Sequence, residues 1–109
     1  MRQTLFNTGL SNQGAIVNIL ELQIPVNEVW RIVKLDITSA NGSIVGVLMQ
    51  HNRRTLVTTF MGPRSPSLVY DDVVVGGGVF RLDMASFNYD EEDVSASLMV
   101  ERTTVGGKS

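Results

Sequence analysis

The chain has no cysteine and a single histidine, His51. Without thiols there is neither a disulfide framework nor a thiolate metal site, so stability must come from packing or from association. One imidazole cannot supply the converging histidine and carboxylate ligands of a cupin-type metal centre. No serine sits in a nucleophile-elbow context, so His51 is read as a satisfied or surface residue, and neither a catalytic residue nor a metal or cofactor is expected. Charge of either sign is sparse: nine basic against eleven acidic residues, formally −2. That balance gives no electrostatic reason to expect nucleic acid or anionic lipid as a partner. No apolar run approaches the roughly 20 residues of a membrane helix. The polar start Met1-Arg2-Gln3-Thr4 lacks a signal-peptide core, so the chain is expected to stay in the cytoplasm unless it is assembled into something larger.

What is present is period-two alternation in stretches rich in Val, Ile, Thr and aromatics, which puts successive side chains on opposite faces of a strand. With 109 residues, 43% of them hydrophobic, the chain suits one core. In Glu28 to Ser39, Val29, Val33, Leu35 and Ile37 share one face with Arg31, and Trp30 and Ile32 share the other with Lys34 and Asp36. Ala15 to Ile24 reads as a strand before it, turned at Pro25-Val26-Asn27 because proline cannot donate to a ladder; these two segments are expected to pair antiparallel. Asn41-Gly42 is the strongest hairpin signal, since a type I′ turn needs positive φ at both central residues. It is expected to join the strand ending near Ser39 to Ser43–His51.

Beyond the polar break Asn52-Arg53-Arg54, strands are expected at Thr55–Met61, Leu68–Val75, Val79–Ala85 and Val94–Thr103. Gly62-Pro63-Arg64-Ser65-Pro66 must be a loop, because each proline removes a donor and disfavours helix before it. The last strand places Val94, Ala96, Leu98 and Val100 inward. About eight short strands with closely spaced turns predict an all-β fold, an antiparallel β-sandwich of jelly-roll-like form. Residues 1–14 are expected as an N-terminal arm with a short strand at Thr4–Asn7, 15–104 as the sandwich and 105–109 as a tail.

Several motifs imitate chemistry. Gly107-Lys108-Ser109 ends where a phosphate loop would open its helix, and Arg102 stands where that loop needs glycine. Gly76-Gly77-Gly78 lacks the spacing of a dinucleotide fingerprint and reads as a turn. Asp90-Glu91-Glu92-Asp93 lacks the alternating ligands and central glycine of a calcium loop, and it reads, like Asp71-Asp72, as a solvated loop. Asn41-Gly42-Ser43 fits the glycosylation pattern, but a chain without a secretion signal would not meet that machinery. Trp30, Tyr70 and Tyr89 are the aromatics that a carbohydrate platform would use, although Trp30 lies in a dense apolar strand and reads as core. Arg53, Arg54 and Arg64 suit an acidic partner surface.

Ile24-Pro25-Val26-Asn27-Glu28-Val29-Trp30-Arg31-Ile32-Val33, a proline turn leading into a tryptophan-bearing strand, resembles a pattern in small structural proteins of tailed bacteriophages. Phe87-Asn88-Tyr89-Asp90-Glu91-Glu92-Asp93-Val94-Ser95-Ala96-Ser97-Leu98 is similar to the acidic turn and final strand of jelly-roll decoration and fibre-type domains, departing from them in having Glu92 where a glycine often precedes the aspartate. Together the two segments cover about a fifth of the chain. The resemblance implies a non-enzymatic capsid decoration (cement) protein in the virion, self-associating, with a trimer favoured, and docking on the major capsid protein or another virion protein. The alternative is a carbohydrate-binding module of a phage tail or receptor-binding protein. Partner contacts are expected at Arg2, Phe6, Arg53, Arg54, Pro63, Arg64 and Pro66, with the arms extending along a neighbour by strand addition.

Overall fold

Alternation and β-branched content become strands almost wherever they occur. The computed structural model describes residues 1–11, 14–70 and 73–105; Asp71-Asp72 and residues 106–109 of the expected tail, including its phosphate-loop lookalike, lie outside them. Nine strands form among the described residues: β1 (Arg2–Ser11), β2 (Ile16–Ile24), β3 (Glu28–Ser39), β4 (Val45–His51), β5 (Arg54–Met61), β6 (Ser67–Val69), β7 (Val74–Val75), β8 (Gly78–Ser86) and β9 (Glu92–Thr104). One sheet runs β1-β9-β3-β6, with β7 also pairing β3, and the other runs β2-β8-β4-β5. All pairings are antiparallel. The chain crosses between sheets at every connection except β4–β5 and β6–β7, which makes the expected sandwich a jelly roll.

The crossings overturn two expected pairings. β2 pairs with β8 and β3 with β9, so Pro25-Val26-Asn27 is a corner between sheets, closed by the Glu28 N–H donating to the Pro25 carbonyl at 3.0 Å. Asn41-Gly42 likewise carries the chain from one sheet to the other. Only Gly42 of that pair takes a positive φ, +67°, and its N–H closes a turn on the Ser39 carbonyl at 3.1 Å. The two-residue hairpin is instead Asn52-Arg53, with φ of 50° and 69°, the pair of left-handed residues that a type I′ turn demands.

A bulge explains the misassigned faces of β3. The register passes from Ile32↔Val100 to Lys34↔Met99, leaving Val33 unpaired. One extra residue exchanges the two faces of a strand, so Trp30 and Ile32 before the bulge and Leu35 and Ile37 after it are all buried. They meet Val94, Ala96, Leu98 and Val100 of β9 and Phe80, Leu82, Met84, Val45, Val47 and Met49 of the opposite sheet in one core.

The expected arm is largely β1, paired along its whole length with β9 from Arg2↔Glu101 to Ser11↔Glu92. Its polar composition concealed all but Thr4–Asn7 of an edge strand whose contacts are partly polar: Asn7 Nδ2 donates to the Ile19 carbonyl at 2.8 Å. Gly9 lies so close to β2 that a Cβ there would come within 2.8 Å of Val17.

The acidic loop also differs from expectation. Asp90, Glu91 and Asp93 are exposed, but Glu92 is buried. It accepts hydrogen bonds from Ser86 Oγ and, at 2.7 Å, from the Asn41 N–H. Burial alone would raise its carboxyl, but hydrogen bonds from Ser43, Ser86, Asn41 and Asn88 outweigh that and hold it below its ordinary value.

At the opposite end Arg102 Nε and Nη2 grip the Glu28 carboxylate at 2.8 and 3.0 Å, and the guanidinium lies 4.8 Å from the Trp30 ring centroid. The Arg102 hydrogen bonds, helped by the Trp30 N–H, lower the Glu28 pKa. On the outer face Glu101 lies between Arg31 and Arg2, each at 2.8 Å. Hydrogen bonds from Arg31 and then Arg2 bring its pKa down to about 2.

Two predictions follow from this framework. Gly78 has φ +125°, and a Cβ there would overlap the Asn52 side chain, whereas a Cβ on Gly76 meets nothing. Gly78→Ala should cost at least about 1–3 kcal/mol in urea denaturation, and Gly76→Ala should stay within about 0.5 kcal/mol; equal effects would refute this reading. Glu101 has a folded pKa below its unfolded value, so its contribution is complete above about pH 4.5 and disappears as pH falls towards 2. The urea midpoint should therefore fall with acid in this window, and less steeply in Glu101→Gln; identical slopes would dismiss the Glu101 pairs as a cause.

Candidate interaction surface

Cross-strand register sorts the outer face of the β2-β8-β4-β5 sheet into rows, because residues paired across strands stand side by side. The first row is Ile16, Ala85, Gly46 and Phe60, the second Asn18, Asp83, Leu48 and Thr58, and the third Glu21, Arg81, Gln50 and Thr55. The face thus grades from apolar at one end to charged at the other. In the third row Arg81 pairs with Glu21 at 3.0 Å. In the second, Asp83 is buried and accepts from Asn18 Nδ2 at 2.9 Å.

The first row has large side chains at its edges and small ones in its middle. Ile16 and Phe60 are 73% and 68% exposed, and Phe87, from the segment after β8, tilts against Phe60 with ring centroids 5.7 Å apart. Between them, over Gly46 and Ala85, lies an open apolar hollow of about 230 Å³. A second, of about 470 Å³, continues beyond Phe60 and is lined by Ile44, Met61, Pro63 and Arg64. Exposed apolar side chains gathered this way mark interaction surfaces.

The structure separates most of the residues expected at a partner interface. Pro63 and Arg64 border the second hollow, and exposed Pro66 lies in the same loop, its carbonyl accepting the Ile37 N–H at 2.8 Å. Arg53 and Arg54 are exposed at the β4–β5 hairpin, at the far end of the sheet. Arg2 and Phe6 lie on β1 in the other sheet, Arg2 engaged by Glu101 and Phe6 exposed beside Asp36 and Ser97. Ile16, Ile44, Phe60 and Phe87 were missed. Phe60 at an outward position in the alternation of β5 was the available signal, but the hollow needs the cross-strand neighbours to be known.

The other candidates have structural roles or none. His51 Nε2 donates to the carbonyls of Gly76 and Gly77 at 2.9 and 3.1 Å, tying the hairpin to the glycine turn. Trp30 is buried beneath Arg102 and offers no sugar platform, whereas Tyr89 is exposed. No cluster of three or more His, Cys, Asp or Glu suited to a metal ion occurs among the described residues.

No protein-family model matches the sequence, and no curated protein matches it. Solved structures do resemble it. A chain in the structure of infectious bursal disease virus, Gt strain, matches with TM-score 0.54 and 13% identity over 98% of this chain and 33% of that one. A chain in the acidic stable capsid structure of Helicobacter pylori bacteriophage KHP30 matches with TM-score 0.50 and 10% identity over 94% of this chain and 98% of that one. The nucleoplasmin-like N-terminal domain of Drosophila FKBP39 gives TM-score 0.48 and 10% identity over 96% and 95%. The chain therefore spans about a third of the bursal disease virus chain and nearly all of the bacteriophage one. At these identities the likeness is one of fold: a jelly-roll β-sandwich of a kind also found in a virus and in a bacteriophage capsid.

Proposed function

We propose that this chain is a non-enzymatic structural subunit of a virus particle, a decoration (cement) protein that self-associates and docks on the major capsid protein. The observation that carries the reading is the uncharged row Ile16-Ala85-Gly46-Phe60, with Ile16 and Phe60 exposed, at one end of a sheet whose other end carries paired charges. A small jelly roll with an open apolar face gains stability when subunit contacts cover that face. The fold likeness to a bacteriophage capsid chain of nearly the same extent supports the same role. Pro63 and Arg64, beside the second hollow, are the sequence-expected contacts closest to this face. The carbohydrate-binding alternative loses its principal aromatic, because Trp30 is in the core.

The test is to purify, on a density gradient, particles of the virus whose genome encodes the chain and to quantify it against the major capsid protein by mass spectrometry. A fixed ratio retained through the gradient is expected, as is rebinding of purified chain to particles stripped of it. Recovery only in the soluble fraction, with no rebinding, would overturn the proposal.

A further inference from the structure

A carboxylate taken out of water usually keeps a cation beside it, because its lost hydration must be replaced. Glu92 is 3% exposed, yet among the described residues it forms no ion pair. What replaces the water is a set of neutral donors from two connections. The Asn41 N–H, between β3 and β4, donates to Oε2 at 2.7 Å, and Ser86 Oγ, at the end of β8, donates to Oε1. Ser86 Oγ in turn accepts the Asn88 N–H at 3.1 Å, and the Ser86 N–H donates to Ser11 Oγ at 3.0 Å. The other charged or titratable groups at this end of the sandwich are Tyr89, Asp90, Glu91 and Asp93 on the same segment as Glu92, all exposed, and Arg64 on the β5–β6 loop beside Gly42. The β3–β4 connection and the ends of β1 and β8 bring hydroxyls, amides and main-chain groups.

The same donors bracket two exposed apolar side chains of the candidate surface. Ile44 follows Asn41 in the β3–β4 connection, and Phe87 lies between Ser86 and Asn88; they are 59% and 54% exposed. Both sit just past Val45↔Ser86, the last pair of the β4–β8 ladder, where the Phe87 N–H donates to the Ile44 carbonyl at 3.2 Å. Glu92 therefore ties together the two segments that carry them. Hydrogen bonds to an ionised acceptor are roughly twice as strong as neutral ones, so the tie depends on the charge. A proton on the carboxyl would turn one of its oxygens into a donor among groups that already donate. The Asn41 N–H cannot reverse. Ser86 Oγ, which already accepts from Asn88, could accept that proton's bond only by giving up its own donation to Glu92.

We infer that Glu92 is an acid-released latch: ionised, it holds the β3–β4 and β8–β9 connections in the arrangement that presents Ile44 and Phe87, and on protonation it lets them part while the sandwich stays folded. The inference rests on the proposed function only for the partner that this surface meets. Its test uses the free chain, so its failure leaves the particle assay untouched, and failure of that assay leaves the latch standing. Amide NMR signals of the purified, isotope-labelled chain are followed from about pH 7 to about pH 2. Because the folded carboxyl titrates below its ordinary value, the latch is closed above about pH 4.5 and opens as pH falls beneath it. Asn41, Gly42, Phe87 and Asn88 should change together in that window while Leu82 and Met84 of the core keep their shifts. Ser86→Ala, which removes one donor to the ionised form, should move this transition up by about one pH unit, and Glu101→Gln should leave it in place. Glu92→Gln should show the released signals already at neutral pH, with amide exchange in both connections about tenfold or more faster than in wild type; if it fails to fold, the titrations of wild type and Ser86→Ala decide. Connections that change only together with the core, or a transition that Ser86→Ala leaves in place, overturn the inference.

Discussion

Double pairing of β9 is the constraint on which the rest of the sandwich depends. Both of its edges are occupied, by β1 and β3, over nearly all of its 13 residues. With both ladders made, its register cannot slip without breaking two sets of hydrogen bonds and turning Val94, Ala96, Leu98 and Val100 away from the core. Val94, Leu98 and Val100 are each worth about 1.5–3 kcal/mol when fully buried. The strand also bears the Glu92 network at its start and the Arg102–Glu28 grip near its end. Its two ends are thereby tied to the corners of the sandwich.

Strands were legible in the sequence where one face is apolar and the other polar. β9 and the Phe80-Leu82-Met84 face of β8 follow their alternation residue by residue. Legibility failed where a strand's meaning depends on its neighbours. Only Thr4–Asn7 of β1 was legible, because part of the strand's inner face is polar, with Asn7 satisfied by a carbonyl of β2. The bulge at Val33 leaves no local mark, since Val33 is as good a strand former as the residues around it. Corners between sheets and hairpins share their turn chemistry, so Asn41-Gly42 and Pro25-Val26-Asn27 signalled reversal without indicating which sheet the chain enters next. The apolar face was the least legible of all: Gly46 and Ala85 are unremarkable alone, and they define a hollow only when register sets Phe60 and Ile16 beside them.

The two outer faces divide the surface into unlike halves. One carries charges largely neutralised within the chain, with Glu101 shared by two guanidinium groups. The other is apolar at the end where the loops following β3, β5 and β8 gather, and charged at the hairpin end. The division follows from alternation: both inner faces are committed to one core, so any apolar residues in excess must lie outward. Ile16, Ile44, Phe60 and Phe87 collect in one place.

The stitching of the β4–β5 hairpin bears on how such a face meets a partner. Asn52 exchanges two hydrogen bonds with Val79, its N–H donating to the carbonyl and its side-chain oxygen accepting the N–H, both at 2.9 Å. His51 binds two further carbonyls in the same segment. Edge strand β5 is thus fastened to β8 through the hairpin tip as well as through β4, while at the opposite end the ladders that pair Gly46 with Phe60 and with Ala85 set their spacing. A surface shaped in advance loses little conformational freedom on contact, so even a small apolar footprint can select a partner by shape.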